Sequence, residues 1–245
     1  LASADMAMPP PQVWKSVDGG ATWTFVMETV VLDTGNWRRF LVVTTHPNNA
    51  NVIAIIADRW PGILNTWVTV NGGSSWTRNT GAYIQSLQGY RMAVMMNNGR
   101  IVAMMGGAGL IAYSDDYGST WVATGESFTN FAYEIVRAGD TLFACGTTPA
   151  PIVKRSVDFG ATWSTVVDDL SMTAEVTFFH SLAYSPLTDK LYIATNSDEV
   201  TERVFALLAA TQPTVGALID LSFNLDALFP EGAGRGVVGR QGLAL

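Results

Sequence analysis

Four short stretches of the 245-residue chain carry acids, amides and hydroxyls at one spacing. Ser16, Asp18, Gly20, Thr22 and Trp23 form the first, and Thr69, Asn71, Gly73, Ser75 and Trp76 the second. Ser114, Asp116, Gly118, Thr120 and Trp121 form the third, and Ser156, Asp158, Gly160, Thr162 and Trp163 the fourth. The shared pattern, S/T-x-D/N-x-G-x-S/T-W, could hold a metal, supply catalytic acids or staple a turn. Turn chemistry fits it best. An Asp carboxylate accepts hydrogen bonds from backbone N–H groups one or two residues on, and the Asn71 amide oxygen can imitate it. The glycine supplies a position where φ can be positive without a Cβ clash, and the next hydroxyl residue can bond back across the loop. The tryptophan is then expected to leave the turn pointing inward, where its ring can bury about 150–250 Å². These boxes are therefore read as hairpin staples.

Other reactive residue types lack partners at a useful spacing. His46 stands before Pro47 in a turn and His180 at a strand start, with no Cys or second His at zinc-ligand spacing. Cys145 ends the apolar run 142–145 and reads as a buried hydrophobe. Asp115 with Asp116, and Asp168 with Asp169, lack the loop grammar of a calcium site. The glycine runs at 72–73, 106–107 and 232–236 precede no helical pattern, so none is a phosphate loop. No metal and no cofactor are expected. With 14 Lys and Arg against 21 Asp and Glu, a net charge of −7 and no basic cluster, nucleic acid is not an expected partner. Apolar runs such as 52–57 and 101–105 are too short to cross a bilayer, and membrane insertion is not expected.

The elements that must carry the boxes follow from their period. The box tryptophans are 53, 45 and 42 residues apart, which suits one four-stranded propeller blade per repeat. β-rich runs fill the intervals: 40–45, 52–57 and 66–70; 91–96, 101–105 and 109–114; 133–137, 141–146 and 152–156; 181–184, 190–195 and 203–209. Each box tryptophan leads into a fourth strand. The second strand of each set is apolar without alternation, as a strand covered on both faces should be. Met92 to Met96 and Met104–Met105 read as fillers of the gaps between blades.

A fifth box is due near 209–216, but that stretch has lost the pattern, and a different turn is expected between 203–209 and 214–221. At the other end, 13–16 enters directly as a third strand. Residues 223–245, with Val237, Val238 and Leu243 to Leu245, could supply the missing strands and close the ring. The expectation is an all-β chain forming one propeller domain over 1–245. Its four-stranded antiparallel blades number five, with a piece of a six- or seven-bladed ring as the alternative.

The repeated box resembles that of the Asp-box, or bacterial neuraminidase repeat, propellers, which include sialidases and sortilin-like receptors. The resemblance implies a ligand face opposite the boxes, built from the connections between fourth and first strands and between second and third strands. Trp37, Arg39, Trp60, Tyr83, Tyr90, Arg91, Tyr133 and His180 fall there as candidate ligand-binding residues. Aromatic rings among arginines and carboxylates suit a sugar, which offers a face to stack and hydroxyls to bond. Asp33, Asp58, Glu126 and Glu175 are the candidate catalytic carboxylates if the chain hydrolyses glycosides, since that chemistry needs two carboxyl groups about 5–9.5 Å apart.

A sialidase also needs three arginines, the first in a Phe/Tyr-Arg-Ile-Pro stretch ahead of the first box, and residues 1–15 contain no arginine. Tyr133 and Glu134, adjacent on a strand, are expected to point to opposite faces rather than form a nucleophilic couple. The leading expectation is a non-catalytic module that binds a glycan or a protein surface, extracellular or on a virion rather than cytoplasmic, alone or within a larger assembly. The alternative is a glycoside hydrolase.

Overall fold

The computed structural model describes residues 12–28, 37–59, 63–80, 92–105, 109–129, 132–148, 150–168, 178–196, 204–214 and 216–221. Among them every regular element is a strand. Strands β1 (Gln12–Lys15) and β2 (Thr24–Glu28) pair as blade 1. Blade 2 runs β3 (Trp37–His46), β4 (Asn49–Arg59), β5 (Ile63–Thr69) and β6 (Thr77–Thr80). Blade 3 runs β7 (Met92–Met95), β8 (Ile101–Met105), β9 (Leu110–Ser114) and β10 (Val122–Ala123). Blade 4 runs β11 (Ala132–Ala138), β12 (Thr141–Thr148), β13 (Ala150–Ser156) and β14 (Ser164–Asp168). Blade 5 runs β15 (Phe178–Ser185), β16 (Lys190–Asn196), β17 (Val204–Leu207) and β18 (Leu218–Asp220). All four-stranded sheets are antiparallel meanders, the construction of a β-propeller, and the five sheets are consistent with five blades. The stretch 223–245, expected to close a ring, lies outside the described residues.

Alternation of side chains on the second strand of each blade explains how the blades stack. In β8, Ile101 and Ala103 enter the seam toward blade 2, while Val102 and Met104 enter the seam toward blade 4. In β12, Leu142 and Ala144 face blade 3, whereas Phe143 and Cys145 face blade 5 with Phe179, Leu191, Ile193 and Phe205. A strand buried from both sides needs apolar residues at every position, which is why these runs do not alternate. Met95, Met96 and Met104 are fully buried in the seams, and burial drives the Cys145 thiol pKa upward.

The box tryptophans divide into two environments. Trp76, Trp121 and Trp163 each pack in the seam between their own blade and the preceding one. Trp23 does not point inward as expected; it is 61% exposed, because no blade precedes β1 among the described residues.

In blade 5 the missing box is replaced by a carboxylate from another turn. Asp189, between β15 and β16, accepts hydrogen bonds from the Thr211 N–H at 3.1 Å and hydroxyl at 2.8 Å, from the Tyr184 hydroxyl and from the Gln212 amide. It stands at φ +47, a conformation that Asp tolerates better than most residues. Burial works against its charge, but these donors outweigh it and hold the carboxyl below its ordinary value.

Candidate functional site

Because strand direction alternates, the box turns and the turns between first and second strands share one end of each blade. The remaining connections lie at the opposite end. The box end can be built atom by atom. Asp18 Oδ1 accepts the Thr22 N–H at 2.9 Å and Oδ2 the Thr22 hydroxyl at 2.5 Å, while the Ser16 hydroxyl donates to Oδ1 at 2.8 Å. Asp116 with Thr120, and Asp158 with Thr162, repeat this set. Asn71 Oδ1 accepts the Ser75 N–H at 3.0 Å, and its amide donates to the Ser75 hydroxyl. The bond therefore spans four residues, not the one or two that Asx-turn chemistry suggested. Nearer donors are taken by the opening hydroxyl: the Gly20, Gly73, Gly118 and Gly160 N–H groups donate to Ser16, Thr69, Ser114 and Ser156.

These bonds favour the ionised acids. The Thr22 hydroxyl and N–H, then the Ser16 hydroxyl, hold Asp18 down to about 2 from 3.8. Burial opposes ionisation of Asp116 and Asp158, but the Thr120 and Thr162 donors with Ser114 and Ser156 outweigh it and lower both. A depressed folded-state value means that each carboxylate stabilises the fold above its unfolded value and loses that contribution as pH falls through the folded one. In an NMR titration the Thr22 N–H should hold its position at pH 3.8 and shift near pH 2. The Ser75 N–H, bonded to an amide, should stay unmoved. A Thr22 midpoint at 3.8 would contradict the staple.

Each box turn also rests on the preceding blade. A Cβ at Gly118 would lie 2.2 Å from Thr66 Oγ1 of blade 2, and one at Gly160 2.7 Å from Val102 of blade 3. At Gly73 the neighbour is Val26 of blade 1 at 3.5 Å. One residue before each of these glycines, a carbonyl oxygen accepts a bond from that blade. Lys15 Nζ reaches Gly72 O at 2.9 Å, Asn79 Nδ2 reaches Tyr117 O at 2.9 Å, and Arg100 Nη1 reaches Phe159 O at 3.5 Å. Blade 5 keeps the contact without its box, since Arg155 donates to Ala210 O, Gln212 O and Pro213 O. Sequence reasoning missed these clasps, although Lys15 and Arg155 each stand immediately before an opening box serine.

Some of the residues nominated for ligands and catalysis lie on the described strands. Trp37 and Arg39 lie on β3, Asp58 on β4 and His180 on β15, and Arg39 is the register partner of Asp58. Asp33, Trp60, Tyr83, Tyr90, Arg91 and Glu175 lie outside the described residues. Tyr133 falls where the register of β11 slips, and its ring packs against the seam between blades 4 and 5. Glu134 Oε2 accepts the Ser181 hydroxyl at 2.7 Å and the Leu182 N–H at 2.6 Å, tying the same two blades together. Glu126 Oε2 meets Lys154 Nζ at 2.7 Å, and that ammonium also donates to Ser127 O and lies 5.4 Å from the Phe128 ring centre. The Lys154 side chain is 10% exposed and that of Glu126 39%, so the acid neutralises a cation sunk between blades 3 and 4.

No protein-family profile matches the chain, and neither does any curated protein. Solved structures do match in fold. YCF48 bound to D1 peptide is similar with a TM-score of 0.55 and 20% identity, over 85% of this chain and 62% of that one. The GH74 enzyme of Niastella koreensis is similar at 0.55 and 18% identity, over 75% of this chain and 30% of that one. TolB from Acinetobacter baumannii is similar at 0.53 and 15% identity, over 86% of this chain and 48% of that one. The chain thus spans less than two thirds of each, and at these identities the likeness is one of fold.

Proposed function

We propose that the chain is an Asp-box propeller of the bacterial neuraminidase repeat group. In this reading it is a non-catalytic module whose face opposite the boxes binds a glycan or a protein surface. The observation that carries the reading is the commitment of Glu126 to Lys154. A general acid or nucleophile in glycoside hydrolysis must be free to exchange a proton or attack a sugar carbon. A carboxylate that neutralises a sunken ammonium is committed to packing instead. Glu134, the acid beside Tyr133, is likewise held by Ser181 and Leu182, which takes it away from a tyrosine–glutamate couple. The four box positions are occupied by their own turns. What remains for recognition is the set of aromatics and arginines around Trp37, Arg39, Trp60, Tyr83, Tyr90 and Arg91, residue types that dominate binding energetics.

A glycan array and a peptide array, followed by product analysis, test the reading. Binding to one class should weaken more than about tenfold in Trp60→Ala, with no sugar released. Release of sugar from a sialoside or a β-glucan, abolished by removing Asp33, Asp58 or Glu175, would overturn it.

A further inference from the structure

In three places an Asp or Asn is followed by glycine: Asp18 by Gly19, Asn71 by Gly72 and Asn98 by Gly99. Such a pair carries chemistry of its own, because a glycine nitrogen with no Cβ beside it can approach the side-chain carbonyl carbon of the residue before it. The first two pairs lie in box turns, and the third lies in the turn between β7 and β8. Asn71 and Asn98 are both exposed, so access does not separate them. Their bonding does.

The Asn71 side chain is pinned across its loop. Its Oδ1 accepts the Thr69 hydroxyl at 2.8 Å and the Ser75 N–H at 3.0 Å, and its Nδ2 donates to the Ser75 hydroxyl at 2.8 Å. Asp18 is held by the same set and kept ionised, and a carboxylate resists attack by nitrogen. Among the described residues, the Asn98 side chain makes one bond, accepting the Arg100 N–H at 3.0 Å. That bond closes a ring of which the Gly99 nitrogen is a member, and its N–H lies where negative charge develops on the oxygen when the carbon is attacked. At Asn71 the equivalent donor, the Gly73 N–H, is taken by the Thr69 hydroxyl. Both attacking nitrogens must first leave a carbonyl, Gly72 that of Asn51 and Gly99 that of Met96, so this step does not distinguish the pairs.

We propose that Asn98 is a site of spontaneous modification, converting to aspartate and isoaspartate in the folded protein, while the box keeps Asn71 intact. The Gly99 nitrogen loses its proton to hydroxide and bonds to Cγ; the Cγ–Nδ2 bond breaks, and the amide leaves as ammonia with a proton from water. Water then opens the cyclic imide at one carbonyl to give aspartate or at the other to give isoaspartate. The sum is amide plus water to acid plus ammonia. The turn that changes ties three blades together. Asn97 Oδ1 accepts Asn48 Nδ2 of blade 2 at 3.1 Å and Arg137 Nη1 of blade 4 at 3.3 Å, and its Nδ2 donates to Asp140 of blade 4. Arg100 pairs with Asp115 and reaches Phe159 O. An isoaspartate lengthens the main chain between Asn97 and Arg100 by a methylene and loosens these ties, whereas an aspartate adds only charge.

The full chain is held at mildly alkaline pH, folded and in urea, and then cleaved after arginine, which separates peptide 92–100 from peptide 60–78. Each conversion adds about 1 Da, and isoaspartate is read by an isoaspartyl methyltransferase with labelled S-adenosylmethionine. In the folded chain, peptide 92–100 should convert more than about tenfold faster than 60–78, and faster still as pH rises. In urea the two should convert at similar rates, since the bonds that hold Asn71 are gone. Asn98→Ser should abolish the label in 92–100, which separates Asn98 from Asn97; Asn98→Gln serves if that variant unfolds. The labelled fraction should unfold at a lower urea concentration than Asn98→Asp. Absence of label in the folded 92–100, a ratio that urea leaves unchanged, or label that persists without Asn98 would overturn the modification, and equal urea midpoints would overturn the loosening.

Discussion

Gly118→Ala should destabilise the fold by about 2–5 kcal/mol, whereas Gly20→Ala, at the same box position, should cost only about 1–2 kcal/mol. The backbone contribution is shared, because φ is +88 at Gly118 and +94 at Gly20, where a Cβ crowds the following carbonyl oxygen. The packing contribution is not. A Cβ at Gly118 would lie 2.2 Å from Thr66 Oγ1 and 2.6 Å from Thr66 Cβ. Thr66 is itself fully buried and β-branched, so it cannot swing aside, and the seam between blades 2 and 3 must open. Gly20 has open space beyond Trp23. Urea unfolding of both variants measures the difference. Equal losses would mean that the box glycine serves only its own turn and that the blade contact is energetically idle.

Removing Glu126 should cost about 2 kcal/mol, while removing its partner through Lys154→Met should cost less than about 1 kcal/mol. The two ends of the ion pair are unequal in solvent. With Glu126→Ala the ammonium of Lys154, 10% exposed, keeps Ser127 O and the Phe128 ring but loses its counter-charge. With Lys154→Met the carboxylate, 39% exposed, turns to water, and the thioether fills the stem's place. That exposure is also why the loss stays below the full cost of breaking a buried pair. Denaturation midpoints of the two variants and the double variant separate these contributions. A Glu126→Ala protein as stable as its parent but unable to cleave a glycoside would instead return Glu126 to the catalytic list.

The asymmetry of this pair shows where reading the chain alone stops. Glu126 was nominated as an acid because it falls between two strands on the face opposite the boxes. Nothing in its neighbourhood announces Lys154, which is 28 residues away on β13 of the next blade. Tyr133 was nominated for its aromatic ring, and the register slip in β11 turns that ring into the seam with blade 5. In both cases the partner is supplied by another blade, and the spacing of residues within one blade carries no information about it.

What the sequence determined by itself is the content of each repeat. The box hydrogen bonds span at most four residues, so residue type and spacing suffice to specify them. The strands follow from apolar runs bounded by turns, and the tryptophan period sets one blade per repeat. Even the loss of the fifth box was legible, although its replacement by Asp189, 22 residues before Thr211, was not. Only the tertiary structure decided what each box does. The turns at Gly73, Gly118 and Gly160 are seated on a blade while the turn at Gly20 is bare, although all four obey one pattern. A local motif fixes its own hydrogen bonds through short-range geometry. Its burial depends on which sheet face lies across the seam, and that is set by contacts between residues tens of positions apart, where the periodic pattern is the same for every blade and only position along the arc differs.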